Sequence, residues 1–580
     1  MFRLCFTLSL SLLLPTVLSG QQEQPSPAGE RVFPEFAPPL EIPLRLSGGF
    51  GELRAAHFHA GLDFRTQGVT GKRVISSEKG YISRIAVSPG GYGKAVYVTH
   101  SGGWTTVYGH LERFNDKVAQ WVENYQYDHQ SFAVDVTLDE TQFPVERGEL
   151  LAYSGNTGSS GGPHLHYEVR EANGERPLNP HLFGMKVPDK TAPILKTLLL
   201  NPVTVGGNVN GRNEKLKVPL VSAAASGTYR PAETAEFVFT GAIGVALEAF
   251  DTSEGSVGRS GIYTLSLYVD TMLFYSRRWE GFSYGESRYT LAMKDYPEYL
   301  HSRTTFEQLF RLPGNPLSWI HTPMGSGVLQ LSDSRVYQIR IEAEDFAGNQ
   351  SIARFSARWK PLPEGEPVAT ALHNNAMRYD RDNRFSAKSI EVMIPSGALY
   401  NNIDFAFQTI PANNSVFGEG YSLHLPETPL HKPITLSIKG DAIPESLRAK
   451  AYIAELDDAG RPEGYLGGEW KGSYMEARCY SFGKVGLAVD TIAPKILVAT
   501  VNPAQGKLVF QVSDNMSGVN SIEGLLDGKW VLYEHDGKTA RVEFILNRER
   551  FPKTGKSREF LLKVTDALNN VSEYRRTFVF

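Results

Sequence analysis

The stretch Gly162-Pro163-His164-Leu165-His166-Tyr167-Glu168 constrains the fold more than any other part of the sequence. Apolar and polar residues alternate in it, so Leu165 and Tyr167 fall on one face of a β-strand and the two histidines on the other. Two imidazoles on one face, about 7 Å apart along the strand, suit a metal site better than a hydrophobic core. The pair is weak evidence by itself and requires further ligands elsewhere in the chain.

The length and composition indicate several globular domains. The chain has 580 residues, of which 41% are hydrophobic and 21% charged, and this length is too great for a single core. The formal net charge of −4 provides neither a basic surface nor an acidic tail. No nucleic-acid partner is therefore expected.

Residues 1–20 predict a secretory signal peptide. Arg3 precedes the uncharged apolar run Leu4–Leu14, and small residues follow at the predicted cleavage site. The run is too short to span a bilayer, and Pro15 argues against the alternative of a buried helix. We therefore expect an exported protein, in the periplasm, the cell envelope or outside the cell.

A Pro-containing linker is predicted over residues 21–39. No other apolar run is long enough to predict a transmembrane segment in the mature chain.

Cysteine usage limits the chemistry of any metal site. If Cys5 leaves with the signal peptide, Cys479 is the only cysteine and no intramolecular disulfide can form. Cys479 is expected to be buried and inert. A zinc site must then be built from His, Asp and Glu.

Histidines are concentrated in one part of the chain. Eight of the fourteen lie between residues 57 and 181, which packing alone does not explain. A histidine and a carboxylate held close together suit zinc, as in the spacing His59-x-x-x-Asp63. His57 is expected at the rim of such a site. The residues that together favour a site are His59, Asp63, His110, His164 and His166.

Three motifs occur in order: His59-Ala60-Gly61-Leu62-Asp63, Tyr108-Gly109-His110-Leu111, and Ser154–Gly158 leading into Gly162–His166. Together they resemble the lysostaphin/LytM-type family of zinc metallopeptidases, which cleave the peptide part of bacterial peptidoglycan. The resemblance covers residues 40–186. It implies one Zn²⁺ held by the positions of His59, Asp63 and His166, with His110 and His164 serving catalysis.

The resemblance implies a secreted zinc metalloendopeptidase that hydrolyses peptide cross-links of peptidoglycan. Three protein ligands leave the fourth zinc position open for water, as in catalytic sites. Two alternatives remain: a non-catalytic relative that binds the wall or activates another hydrolase, and a secreted peptidase acting on Gly-rich proteins. The bond cleaved, and which of His110 and His164 is the general base, stay open.

Residues 112–144 depart from the family's pattern. Asn115–Tyr127 has helical character and Phe132–Leu138 resembles a strand. Two interpretations are balanced. The insertion either forms a wall of the substrate groove or is a surface elaboration with no catalytic role.

The remaining sequence predicts a mainly β chain, in which an N-terminal antiparallel β-sheet metallopeptidase domain precedes about three β-sandwich domains. The segment Val187–Pro193 returns as Val489–Pro494, and each copy is followed by the same order of Asp-containing segments, which indicates a repeated immunoglobulin-like module. The predicted boundaries are 187–362, 367–488 and 489–580. An inserted helix is expected over Pro297–Leu312 in the first of these domains.

The β-sandwich modules are expected to act as spacers or as docking surfaces for the cell wall or envelope proteins. Their Asp- and Asn-rich turns have two interpretations, calcium binding or turn formation, and turn formation is the more common role. Aromatic residues have two interpretations as well, a glycan-binding platform or core packing. These residues include Trp279, Phe282, Tyr284, Trp470 and Tyr474.

Overall fold

The computed structural model describes residues 32–223, 227–233, 236–253, 258–361, 375–502 and 505–579. The predicted signal peptide and Cys5 lie outside these residues. The chain is mainly β, with several β-sheet domains after the first. We refer to residues 32–187 as the N-terminal unit, 188–361 as the second unit, 375–489 as the third unit and 490–579 as the fourth unit.

An 11-stranded antiparallel sheet forms the N-terminal unit. Its main path follows the order Leu46–Gly48, Leu62–Arg65, His164–Glu171, Trp104–Phe114, Lys94–His100, Gly80–Val87 and Val134–Thr137. The remaining strands are Arg73–Ile75, Pro144–Val145, Leu150–Ser154 and Pro177–Leu178. A short 3₁₀ helix spans Pro180–Phe183.

The inserted segment contains the predicted helix and strand. The helix spans Asp116–His129, and the side chain of its N-cap Asn115 accepts a hydrogen bond from the Val118 amide at 2.9 Å. The strand Val134–Thr137 pairs with Gly80–Val87 at the edge of the sheet. Both predictions are confirmed.

The end of the predicted linker packs against the N-terminal unit. Phe36 is buried, and its amide donates to the Phe183 carbonyl at 2.9 Å. The rings of Phe33 and Phe183 lie 5.0 Å apart. Residues 33–39 are therefore part of the folded unit, because two phenylalanines bury more apolar surface there than a free linker would.

Twelve strands form the second unit. They span Ile194–Pro202, Asn208–Val209, Leu216–Ser222, Thr228–Pro231, Glu236–Thr240, Ile243–Phe250, Thr264–Val269, Met272–Arg278, Glu307–Gln308, Ile320–His321, Val336–Glu344 and Gln350–Lys360. Its helical elements are Tyr284–Tyr289 (3₁₀), Thr290–Met293 and Tyr296–Ser302.

The prediction of a helix over Pro297–Leu312 is wrong beyond Ser302. Arg303 adopts the left-handed conformation, with φ 56°, and ends the helix. The chain then becomes extended, and Glu307–Gln308 pairs with Ile243–Phe250. Apolar residues at these spacings are buried by an extended segment as well as by a helix, which explains the error.

The third unit contains one two-stranded and two five-stranded sheets. Its strands span Ala376–Met377, Asn383–Ala387, Ile390–Ile394, Ile403–Asp404, Phe407–Ile410, Gly420–Leu423, Ile434–Lys439, Ala451–Leu456, Pro462–Gly467, Glu469–Lys471, Tyr474–Cys479 and Gly483–Val489. A 3₁₀ helix spans Glu445–Lys450. Cys479 is buried as expected, and burial raises the pKa of its thiol to about 11.

Two four-stranded sheets form the fourth unit. One contains Lys495–Asn502, Lys507–Ser513, Arg541–Ile545 and Tyr533–Asp536, and the other Lys529–Trp530, Val519–Leu526, Ser557–Asp566 and Val571–Val579. Among the helices in the described ranges, none is long and apolar enough to cross a membrane.

Aromatic side chains join the N-terminal and second units. Trp279 is 2% exposed, and its ring lies 4.9 Å from that of Phe58 and 4.7 Å from that of Trp319. Phe282 is fully buried at 5.2 Å from Phe58. Trp279 and Phe282 therefore belong to a core between the two units and not to a glycan platform.

The inserted segment of the N-terminal unit contacts the fourth unit. The rings of Tyr127 and Trp530 lie 5.4 Å apart, and the Asn547 side-chain amide donates to Glu123 at 2.6 Å. The insertion thus provides a packing surface between two units that are far apart in sequence.

Trp279→Ala should lower the free energy of unfolding by about 3–5 kcal/mol, because it leaves a cavity in the core shared by the two units. Urea denaturation measures the change. The matched control is Leu425→Ala, since Leu425 is exposed and its loss should cost less than about 0.5 kcal/mol. A change of similar size in both variants would contradict the shared core.

Candidate active site

Strand register brings the first two candidate ligands together. Leu62–Arg65 and His164–Glu171 are antiparallel neighbours, with Asp63 directly opposite His166. Leu165 and Tyr167 are fully buried on the core face, as the alternation predicts. Asp63 and His166 therefore share the opposite face of the sheet.

Gly61 allows the chain to approach the strand that carries His166. A Cβ at this position would lie 2.3 Å from the Tyr167 carbonyl oxygen, so a side chain cannot be accommodated. The close approach explains the glycine in the motif His59-x-Gly61-x-Asp63. His59 is buried in the loop just before this point.

A bulge turns His110 towards the same site. Gly109 is paired with His166, so regular alternation along Trp104–Phe114 would direct His110 to the other face, with Tyr108 in the core. His110 instead has φ 58°, and the register with Lys94–His100 shifts at this point. Bulges commonly redirect a side chain in this way, and here the ring of His110 reaches 4.8 Å from that of His164.

Each of the four histidines is oriented by one hydrogen bond to an oxygen that can only accept. The donors and acceptors are His59 Nδ1 to the Gly49 carbonyl (2.7 Å), His110 Nδ1 to the Thr157 carbonyl (2.8 Å), His164 Nδ1 to the Gly162 carbonyl (2.8 Å) and His166 Nε2 to Glu168 Oε1 (2.7 Å). These bonds assign the proton to one nitrogen of each ring. The other ring nitrogen is the one that faces the site.

Three of these second ring nitrogens face Asp63. Asp63 Oδ1 lies 3.1 Å from His59 Nε2, 2.8 Å from His166 Nδ1 and 3.4 Å from His164 Nε2. His59 Nε2 and His166 Nδ1 are themselves 3.1 Å apart. Two ring nitrogens and a carboxylate oxygen this close require a proton or a metal cation between them. Two imidazoles and one carboxylate, with ligand atoms within 4.8 Å of one another, fit a zinc ion.

The electrostatics of the site also favour a cation. Burial opposes protonation of His166, but its hydrogen bonds to Asp63 and Glu168 raise its pKa to about 9. Burial and the nearby His166 and His164 rings lower the pKa of His110 to about 3. The negative field is therefore concentrated on the Asp63 side of the site, where His59 and His166 lie.

Glu168 is the most important site residue that sequence reasoning left without a role. Its carboxylate is fully buried and accepts hydrogen bonds from four groups: His166 Nε2 (2.7 Å), Arg170 Nε (2.7 Å), Tyr92 Oη (2.5 Å) and Tyr284 Oη (2.8 Å). Burial would raise its pKa, but Arg170 and His166 hold that pKa well below its usual range. Its place two residues after His166, on the same face of the strand, was a usable signal.

The second unit supports the loop that carries His59. We refer to residues 279–302 as the bracing segment. Within it, the Ser287 hydroxyl accepts from the Phe58 amide at 2.9 Å, and Lys294 Nζ donates to the Arg54 carbonyl at 2.7 Å. Arg54 in turn donates to Asp63 Oδ2 at 2.7 Å. Nothing in the sequence near the motifs indicated these contacts.

The structure thus brings His59, Asp63, His110, His164 and His166 into one site. His57, expected at the rim, is exposed. Arg54, Glu168 and Tyr284 are additions that sequence reasoning missed.

Residues 57–180 match the family model described as "Peptidase family M23", and residues 374–490, in the third unit, match a "Zu5-like domain". Among curated proteins, the DD-carboxypeptidase/endopeptidase Mpg of Neisseria meningitidis is 32% identical over 152 residues, which are 25% of this chain and 29% of that protein. The cell division protein DipM of Caulobacter vibrioides is 27% identical over 190 residues, 30% of this chain and 25% of that protein.

Among solved structures, the catalytic domain of the antimicrobial peptidase lysostaphin from Staphylococcus simulans is 24% identical. The match covers 23% of this chain and 87% of that one, with a TM-score of 0.18. The chain matches less than a third of the length of the two curated relatives.

In the metal-free protein, the free energy of unfolding should fall by a few kcal/mol between pH 6.5 and pH 9. The folded protein holds the His166 proton up to a pKa of about 9, against 6.5 for an ordinary histidine, so this stabilisation is complete below pH 6.5 and lost as the pH rises through 9. Urea denaturation after chelation, at both pH values, measures it. His166→Gln should remove the dependence and the exposed control His129→Gln should keep it; equal slopes in both variants would contradict the assignment.

Proposed function

We propose that this chain, whose residues 57–180 are a peptidase family M23 domain, is a secreted zinc metalloendopeptidase that hydrolyses peptide cross-links of bacterial peptidoglycan. The convergence of His59 Nε2 and His166 Nδ1 on Asp63 Oδ1 is the observation that carries the proposal. The family match and the likeness to Mpg, a DD-carboxypeptidase/endopeptidase, support the reaction and the class of substrate.

In this proposal the zinc ligands are His59 Nε2, Asp63 Oδ1 and His166 Nδ1. Zinc in a three-ligand site supplies Lewis acidity, which activates water and polarises the scissile carbonyl group. Glu168 orients the His166 ring and makes it a better electron donor, as buried carboxylates do for ligating histidines. Arg54 occupies the second oxygen of Asp63, so Oδ1 is directed at the site.

His110 and His164 supply the proton transfers. Each donates its Nδ1 proton to a backbone carbonyl, so each presents Nε2 to the site. A neutral imidazole in this position accepts the proton of the attacking water, and the resulting imidazolium stabilises the oxyanion or protonates the leaving amine. The two rings lie 4.8 Å apart, close enough to serve opposite sides of one carbonyl carbon.

The non-catalytic alternative lacks support in the residues present. A protein that only binds the wall has no need of three convergent ligands or of two further histidines with free nitrogens. The alternative of a peptidase on Gly-rich proteins uses the same chemistry and differs only in substrate. An exported location follows from the substrate and from the signal-like residues 1–20.

His110→Ala should reduce kcat about 10²–10⁴-fold, because it removes a general acid–base group while the zinc ligands remain. The assay counts new amino termini released from purified peptidoglycan, with a glycine-rich polypeptide as a second substrate. His129→Ala is the matched control, since His129 is exposed on the inserted helix. Two results would contradict the proposed peptidase activity: no new amino termini from either substrate with zinc supplied, or a His110→Ala variant as active as wild type. Cleavage of the glycine-rich polypeptide alone would favour a peptidase acting on Gly-rich proteins.

His166→Ala should abolish stoichiometric zinc binding, and Glu168→Gln should weaken it about 10–100-fold, because the His166 ring loses its charged acceptor. Elemental analysis gives the stoichiometry, and competition with a chromophoric chelator gives the affinity. Glu171→Gln, on the same strand, is the control and should bind zinc as wild type does. Unchanged affinity in Glu168→Gln would show that Glu168 does not orient the ligand.

A further inference from the structure

Two clusters of three aspartates lie outside the active site. The first cluster consists of Asp189, Asp251 and Asp345 in the second unit, and the second cluster of Asp490, Asp514 and Asp566 in the fourth unit. Within each cluster, one carboxylate oxygen of every residue lies within 4.8 Å of the others. Like charges this close repel each other strongly unless something neutralises them.

The two clusters have the same construction. Asp189 and Asp490 each lie four residues before a proline. Asp251 and Asp514 each directly follow a strand, and Asp345 and Asp566 each lie where a strand gives way to a turn. Asn349 and Asn570, four residues after the third aspartate, donate to it in the same way, through the backbone amide and the side-chain amide. The cluster is therefore part of the repeat itself and not a chance grouping.

In the first cluster, one carboxylate oxygen has no partner. Asp251 is only 6% exposed, and its buried Oδ1 accepts no hydrogen bond. Asp345 differs, because both of its oxygens accept from Asn349, at 2.9 and 2.8 Å. Burial, Asp189 and Asp345 raise the pKa of Asp251 to about 7. Turn formation accounts for Asp345 but leaves the buried oxygen of Asp251 unexplained.

The second cluster repeats this pattern. Asp514 Oδ2 accepts from the Met516 and Gly518 amides, at 2.9 Å each, whereas the buried Oδ1 has no partner. Asp490 accepts from the Ser517 hydroxyl at 2.7 Å.

We propose that each cluster binds one hard divalent cation, and that Ca²⁺ is the ion. All the side-chain donors are carboxylate oxygens, which suit Ca²⁺ and Mg²⁺ and not the softer zinc of the active site. The aspartates come from three separate segments, an irregular set that Ca²⁺ tolerates better than Mg²⁺, which requires a near-ideal octahedron. The buried oxygens of Asp251 and Asp514 that lack a hydrogen-bond partner would be ligands of this ion.

Both sites lie where two units meet. The first opens into a cavity of about 240 Å³, which Gly49, Phe50 and Asn179 of the N-terminal unit line together with Asp251. At the second, the Asp490 amide donates to the Lys450 carbonyl of the third unit at 2.9 Å. Each proposed ion therefore lies beside a junction between two units, although its three aspartates come from one unit.

The test counts calcium ions on the full-length protein, stripped of metal and then loaded with one equivalent of Zn²⁺. Equilibrium dialysis uses Ca²⁺, and Mg²⁺ in a parallel arm, at about 5 mM, above the Kd of about 0.1–1 mM expected for extracellular modules. Wild type should bind two Ca²⁺, Asp251→Asn and Asp514→Asn one each, and the double variant none. Asp458→Asn, at a fully exposed position, is the control and should bind two.

Two results would overturn the proposal: a wild-type protein that binds fewer than two Ca²⁺, or single variants that keep both ions. Two bound Mg²⁺ with no Ca²⁺ would overturn the choice of ion. Circular dichroism of each variant verifies folding. If Asp251→Asn does not fold, the wild-type count and Asp514→Asn decide the outcome. The differences between variants do not depend on zinc occupancy, so the result is independent of the proposed peptidase activity.

Discussion

The pairing of Asp63 with His166 across two antiparallel strands is the constraint on which the site depends. A shift of one residue in this register would direct Asp63 into the core and Leu62 to the surface, so the hydrophobic effect and the ligand geometry enforce the same alignment. The fully buried Leu62 and Phe64 specify the register from below the sheet. Gly61 permits the close approach that this register requires. Core packing thus positions two of the candidate metal ligands, Asp63 and His166.

A buried carboxylate extends this arrangement beyond the N-terminal unit. Glu168 receives the His166 ring on one side and the Tyr284 hydroxyl of the bracing segment on the other. A buried carboxylate is stable only when its oxygens are well satisfied, so the second unit contributes directly to the environment of a candidate ligand. The loop before His59 depends on the bracing segment too, through Ser287 and Lys294. The geometry of the site is therefore a joint property of two units.

Local patterns in the sequence predicted much of the site, and non-local contacts account for what they missed. Period-two alternation was sufficient to place His164 and His166 on one face, because an exposed face and a core face alternate in any strand of a sheet. The orientation of His110 could not be predicted, since it results from a bulge against a neighbouring strand and a left-handed backbone. Tyr284 lies 116 residues from Glu168, and no motif links the two. The helix predicted to extend to Leu312 failed because apolar spacing alone does not separate a helix from a buried extended segment.

The segment around Gly49 connects the candidate active site with the junction of the first two units. The Gly49 carbonyl orients the ring of His59, and the same residue lines the cavity that contains the first aspartate cluster. A Cβ at Gly49 would lie 3.2 Å from that of Ser260 in the second unit, so the two backbones are in close contact. Gly49 therefore contacts both the His59 ring and the second unit. The packing between the first two units and the orientation of a candidate metal ligand thus depend on the same residue.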